Sequence, residues 1–227
     1  GHLHDITVVT PVFRRDVLVG FFASTAHVVD IGGRGFGPDG REVYEEGLLI
    51  PISKFAERGV VNDMLIQIVR ANVRTPDQTV GDLYSLAACN AAGDRRLQAM
   101  LDEFGIDDLE GLSEFILTAS RRATEAAIAR VPAGTYRKAM TVDGVEAPIE
   151  MVVTLEAQGD RLTADFTGTS GMSSFGVNVP EVYTRAYACY ALKCAIAPEV
   201  PNNAGSLAPF VISAPEGSIL AARLPAP

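Results

Sequence analysis

The chain has 227 residues, 48% hydrophobic and 21% charged, with a net charge of −9 at pH 7. That composition excludes extensive disorder and is enough for one substantial core or two smaller ones, while the acidic balance argues against nucleic acid and against a membrane surface as partners. No apolar run approaches the roughly 18–20 residues that a bilayer span needs, and no basic-then-apolar leader precedes the first strand-like run, so a cytoplasmic location is expected.

From the amino end, residues 6–13 and 17–24 are β-branched or aromatic runs separated by Arg14-Arg15-Asp16, which predicts a β-hairpin. After Asp30 the glycine-rich segment Gly32–Gly40 must be a loop, and regular structure resumes near Glu46. Asn62-Asp63 can cap a helix carrying Met64, Leu65, Ile68 and Val69, with Arg74-Thr75-Pro76 ending that region. Residues 81–104 are Ala- and Leu-rich with helical spacing, and Gly105 stands where a C-cap belongs. In the helix that follows, Leu109, Leu112, Phe115, Ile116, Ala119, Ala123 and Ala126 mark one apolar face, expected to be the buried one, before Pro132-Ala133-Gly134 breaks it.

Residues 136–142, 149–155 and 161–166 alternate in the strand manner, with turns at Asp143-Gly144 and Gly159-Asp160, and read as an antiparallel meander. Residues 183–197 form a last expected helix closed by Pro198, followed by an extended, Pro-rich tail. The fold class expected is α+β, or mixed α/β: hairpin, central helices, meander and C-terminal helix, in regions 1–60, 61–131 and 132–227. The start at Gly1 without Met and the stop at Pro227 suggest part of a longer subunit. Cys89, Cys189 and Cys194 are too scattered for a disulfide framework and are expected as small buried hydrophobes.

All three histidines fall within the first 27 residues, and the frame HxxD occurs twice, as His2-Leu3-His4-Asp5 and His27-Val28-Val29-Asp30. The first frame precedes the hairpin and the second follows it, so antiparallel pairing brings them together. Two imidazoles and two carboxylates suit Mn, Fe or Zn better than Cu(I). Hydrogen-bonded structural histidines are the competing reading. His4 is a third ligand, a donor behind the ligands that can contact substrate, or a solvated loop residue.

Glu45 and Glu46 could offer a general base, Glu46 being the candidate, with a charged strand or helix edge as the alternative, and Asp165, a second candidate catalytic carboxylate, forms with Thr167, Thr169, Ser170 and Asn178 a polar stretch able to hold a substrate amide or carboxylate. Turn and cap chemistry is the alternative for that stretch. The glycine loop lacks both GxxxxGK[ST] and a GxGxxG pattern, so it is a tight loop beside the site rather than a nucleotide cradle. No GxSxG elbow exists and every histidine is committed to one short region, which sets serine hydrolase chemistry aside. Arg70, Arg74 and Asp82 are expected to form a salt-bridged corner.

The segments His2 to Phe13, Ala26 to Gly33, Glu46-Gly47-Leu48, Ala71 to Pro76, Gly81-Asp82-Leu83 and Asp165 to Ser170 resemble, in order, the hydantoinase B/oxoprolinase family. The resemblance implies the B-type part of an ATP-dependent cyclic amidase that opens hydantoin, 5-oxoproline or lactam rings. It places a divalent transition metal (Mn, Fe or Zn) on His2, Asp5, His27 and Asp30. It also implies a hetero-oligomer with an A-type subunit of actin-like ATPase fold, which binds ATP and phosphorylates the substrate carbonyl oxygen. Phosphorylation removes the amide resonance, so a metal-bound hydroxide can add to the carbon. Related carboxylase subunits make an ATP-dependent ketone carboxylase the second reading, and a non-catalytic scaffold the third.

Overall fold

The computed structural model describes residues 2–226. They form two compact units that divide between residues 110 and 111.

The first unit opens with strands β1 (Asp5–Arg14) and β2 (Val17–His27), paired antiparallel from Asp5↔His27 to Arg14↔Val17. The connection is two residues, not the three read from the sequence. Arg15 and Asp16 both take positive φ, 48° and 66°, as the tight turn matching strand twist demands. The strands also reach further than expected, so that Asp5 and His27 end the ladder facing one another.

A short helix α1 (Val43–Glu46) and a minute hairpin, β3 (Ala56–Glu57) with β4 (Val60–Val61), precede helix α2 (Asp63–Asn72). Asn62 caps α2 by accepting from the Leu65 N–H at 3.3 Å. Helix α3 (Pro76–Phe104) starts earlier than the sequence suggested, because proline is pre-shaped for the first helical position. It ends on Gly105 in the left-handed conformation, as expected. The core gathers Ile66, Val69, Val73, Val80 and Leu83, with Ile6, Leu48 and Phe55 packed against them.

Helix α3 also lies across the hairpin. Asn90, 1% exposed, clamps both strands: it donates to the Val8 carbonyl (2.9 Å) and to Thr10 Oγ1 (3.0 Å), and accepts from Ser24 Oγ (2.6 Å). At the hairpin tip Arg14 pairs with Asp102 (2.8 Å) and reaches Gln98 and Asp107.

The second unit contains most of helix α4 (Glu110–Ile128), then β5 (Gly134–Val142), β6 (Ile149–Gln158), β7 (Arg161–Asp165), α5 (Glu181–Ile196), α6 (Ala204–Leu207) and β8 (Phe210–Ser213). The meander β5-β6-β7 is antiparallel, but β8 joins it parallel to β7, so the sheet is mixed and the tail read as merely extended supplies its fourth strand. Helix α5 is the crossover that a parallel pair requires. Ile128, Ala157, Leu162 and Phe210 form the core, with Cys189, Leu192 and Ile196 against it.

Helix α4 does not bury the expected face. Leu112, Phe115 and Ile116 are exposed, as are Ala119, Ala123 and Ala126, and the buried residues are Ser120, Thr124, Ala127 and Ile128. The cause is close backbone approach: a Cβ on Gly205 would lie 2.0 Å from the Leu117 carbonyl oxygen, and Asn203 donates to Ser120 Oγ at 2.8 Å. Small Ser120 and Thr124 admit that contact, while Ile128 at the helix end packs into the core. The cysteines also differ from expectation, since Cys89 and Cys194 are exposed and only Cys189 is packed. No helix among the described residues is long and apolar enough to cross a membrane.

Candidate metal centre

Residues 2–5 form a turn that feeds β1: the Asp5 N–H donates to the His2 carbonyl at 3.0 Å and the Val28 N–H to the His4 carbonyl at 2.9 Å. The two sequence frames therefore meet at the open end of the hairpin. His27 Nδ1 lies 3.0 Å from Asp5 Oδ1, and Asp5 Oδ2 accepts from the His2 backbone N–H at 3.0 Å. The His27 ring lies 5.1 Å from that of His4, nearly parallel, and 5.7 Å from that of His2, at right angles to it.

His4 is buried, and its pKa is lowered by that burial and by the neighbouring His27 and His2 charges. Asp5 is held below the ordinary carboxylate value, chiefly by the His2 N–H, against the upward push of burial. Both shifts favour neutral His4 and ionised Asp5, the forms that bind cations.

Asp30, 8% exposed, faces a different set of partners. Its oxygens accept from the Gly32 N–H (3.0 Å), the Arg74 guanidinium (2.8 Å) and the Arg74 N–H. Burial pushes its pKa up, and these donors more than offset it. Arg74 also donates to the Gly33 carbonyl, so one arginine braces the start of the glycine loop. Arg70 pairs with Asp77 at 2.7 Å, so the expected corner is built from Asp30 and Asp77 and not from Asp82.

Gly33 is positioned where no side chain fits, since its φ is +62° and a Cβ would lie 2.4 Å from the Glu46 carbonyl carbon. That close approach seats Glu46 beside the cluster. Burial raises its carboxyl pKa, and the His2 charge opposes the rise. Glu45 is committed to Arg34 at 2.7 Å, with its pKa lowered by that bond.

In the second unit Asp165 Oδ1 accepts from the Thr167 N–H (3.1 Å), Thr167 Oγ1 (2.9 Å) and Ser213 Oγ (3.2 Å). Thr169 and Ser170 bond the backbone of β6 at Val152 and Glu150, and Asn178 closes a turn onto Ser173 and Phe175. These polar side chains hold the chain after β7 in shape. Sequence reasoning missed Phe36, whose ring touches all three imidazoles; an isolated aromatic in a glycine loop carried no periodic signal.

Among the described residues no three His, Cys, Asp or Glu side chains converge in a preformed metal cage. The donor chemistry of His2, His4, His27 and Asp5 nevertheless fits a borderline divalent ion. Imidazole lone pairs lie in the ring plane, so the near-parallel His4 and His27 rings would have to turn before both could bind one ion. Asp5 is also disposed as the carboxylate that orients a ligating imidazole through its other nitrogen.

The chain is 28% identical over 248 residues to 5-oxoprolinase 1 of Arabidopsis thaliana, covering 97% of this chain and 20% of that one. It superposes on the crystal structure of ATP-dependent caprolactamase from Pseudomonas jessenii with a TM-score of 0.87 and 25% identity, over 100% of this chain and 40% of that one. It shares its fold with acetone carboxylase in the nucleotide-free state, with a TM-score of 0.85 at 18% identity, over 97% and 32% of the two chains. The chain spans about two fifths of the length of the curated relatives that it matches end to end. The Hydantoinase B/oxoprolinase family profile matches residues 1–227. With its motifs in order and its fold shared across the whole length, the chain belongs to the hydantoinase B/oxoprolinase family.

Proposed function

We propose that this chain is the metal-bearing part of the B-type subunit of an ATP-dependent cyclic amidase, acting in a cytoplasmic hetero-oligomer with an A-type ATPase subunit. The substrate is a cyclic amide such as a hydantoin, 5-oxoproline or a lactam. One observation carries the reading: three imidazoles and Asp5 gather at the hairpin end in a chain that matches this family throughout.

His2, His4 and His27 would hold the ion, with Asp5 as ligand or as the orienting carboxylate of His27. Asp30 would take part only by giving up bonds to Arg74 and Gly32. A divalent Mn, Fe or Zn ion supplies Lewis acidity and lowers the pKa of water. Glu46 is the proton acceptor: burial raises its pKa, which makes its carboxylate a stronger base. Asp165, Thr167, Thr169, Ser170 and Asn178 are the candidates for substrate contact in the second unit. That role needs lone pairs or donors beyond the hydrogen bonds they already make. The chain carries no phosphate-cradling motif, consistent with ATP being bound by a partner.

The test is elemental mass spectrometry of the purified protein beside a His2→Ala, His27→Ala double variant. Near-stoichiometric Mn, Fe or Zn that disappears in the variant is the expected result. A wild-type protein that takes up none of these ions on reconstitution would sink the metal reading.

A further inference from the structure

Phe36 occupies the tip of the Gly32–Gly40 loop, and its ring lies 4.7 Å from His2, 5.7 Å from His27 and 5.8 Å from His4. It meets the three imidazoles edge-on, at 79°, 80° and 84°. Yet 69% of its surface is exposed, and it belongs to neither core cluster. Core burial therefore does not explain where this ring points.

The loop that carries it is braced on both sides. Arg34 donates to Glu45 Oε2 at 2.7 Å and to the Asp39 carbonyl at 3.2 Å, spanning the loop behind Phe36. Arg74 and the glycine-only contact of Gly33 with Glu46 fix its start. A braced loop can hold an exposed aromatic ring at a set distance from a polar cluster, which a floppy loop cannot.

We propose that Phe36 is the wall of the histidine cluster. It covers the buried His4 imidazole against bulk water, whereas His27 stays half exposed, and its own exposed surface receives the hydrocarbon portion of the substrate. The site then favours amides flanked by methylene or aryl groups over compact, hydrophilic ones. The substrate half of this inference rests on the amidase reading, whereas the screening half depends on geometry alone.

The experiment compares wild-type full-length protein with Phe36→Ala and Phe36→Leu in three measurements. First, metal-free protein is treated with diethyl pyrocarbonate and the modified histidines are mapped by peptide mass spectrometry. Carbethoxylation of buried His4 should be several-fold faster in Phe36→Ala and intermediate in Phe36→Leu, while an equal His4 rate overturns the screening role. Second, protein loaded with Zn²⁺ alone is challenged with a chelator, and release should be several-fold faster in Phe36→Ala. Equal release overturns screening of the ion. A wild type that binds no Zn²⁺ defeats the metal reading and leaves the modification rates to judge Phe36. Third, with the ATPase partner and ATP, Phe36→Ala should raise KM about tenfold for an alkyl- or aryl-substituted ring and little for an unsubstituted hydantoin. Equal changes for both overturn the specificity role.

Discussion

The carboxylate of Asp5 meets the imidazole of His27 at 3.0 Å, and these same two residues are the terminal Cα pair of the β1–β2 ladder. Strand register thus sets the side-chain contact, because a slip of one residue would turn either side chain to the opposite face. Asp5→Asn keeps the shape but loses the charge that orients His27. It should weaken Zn²⁺ binding by about 10–100-fold, read by isothermal titration. Unchanged affinity would separate this pair from metal holding.

Asn90→Ala should cost about 2 kcal/mol, because it strips partners from the Val8 carbonyl, Thr10 and Ser24 inside the helix–hairpin contact. Urea unfolding measures this. A loss below a few tenths of a kcal/mol would mean that the clamp is replaced by water at no cost.

Gly93→Ala tests the same contact from the helix side. The added Cβ would stand 2.8 Å from the Phe22 ring. Overpacking costs about 1–3 kcal/mol, of which improved helix propensity returns about 1. A net loss near 1 kcal/mol is expected by thermal denaturation, and a stabilised variant would show that Phe22 moves aside freely.

Arg74→Ala removes the guanidinium from buried Asp30 and from the Gly33 carbonyl. A loss of about 1.5–3 kcal/mol is expected for bonds to a charged group. Backbone amide exchange in the Gly32–Gly40 loop should accelerate in parallel. An unaltered loop would place its rigidity in Arg34 alone.

The pH dependence of Glu46 has a definite sign. Burial raises its pKa above the ordinary glutamate value of about 4.3. Its neutral form therefore favours the folded state, and that contribution is full below the ordinary pKa and fades as pH rises through the raised one. Glu46→Gln should match wild type near pH 4 and become the more stable protein toward pH 7. Urea midpoints across that range decide it, and a gap that opened at acid pH instead would refute the burial account.

Much of the site was legible because it is local. The two HxxD frames bracket one hairpin, and a hairpin needs only alternation and a tight turn to bring its ends together, as Asp5 and His27 show. Helix α2 was legible through Asn62, and the end of α3 through Gly105, since caps act within one turn. The direction taken by Asp30 was not, because Arg74 lies 44 residues away and becomes a partner only when the α2–α3 turn packs beside the glycine loop.

Periodicity in α4 marked an apolar stripe correctly but could not say which side another element would approach. The close seat of Gly205 on Leu117 chose the face of Ser120 and Thr124 instead, which continues into Ala127 and Ile128. Strand β8 is four residues long, too short to be told from extended tail until β7 offers it a parallel edge. The sequence by itself determined the local geometry, namely the strands, the caps, the turns and the meeting of the histidine frames, because those depend on neighbours a few residues apart. Tertiary structure alone decided which face is buried, which carboxylate faces the histidines and where Phe36 stands, because those depend on groups that meet only after the chain has folded.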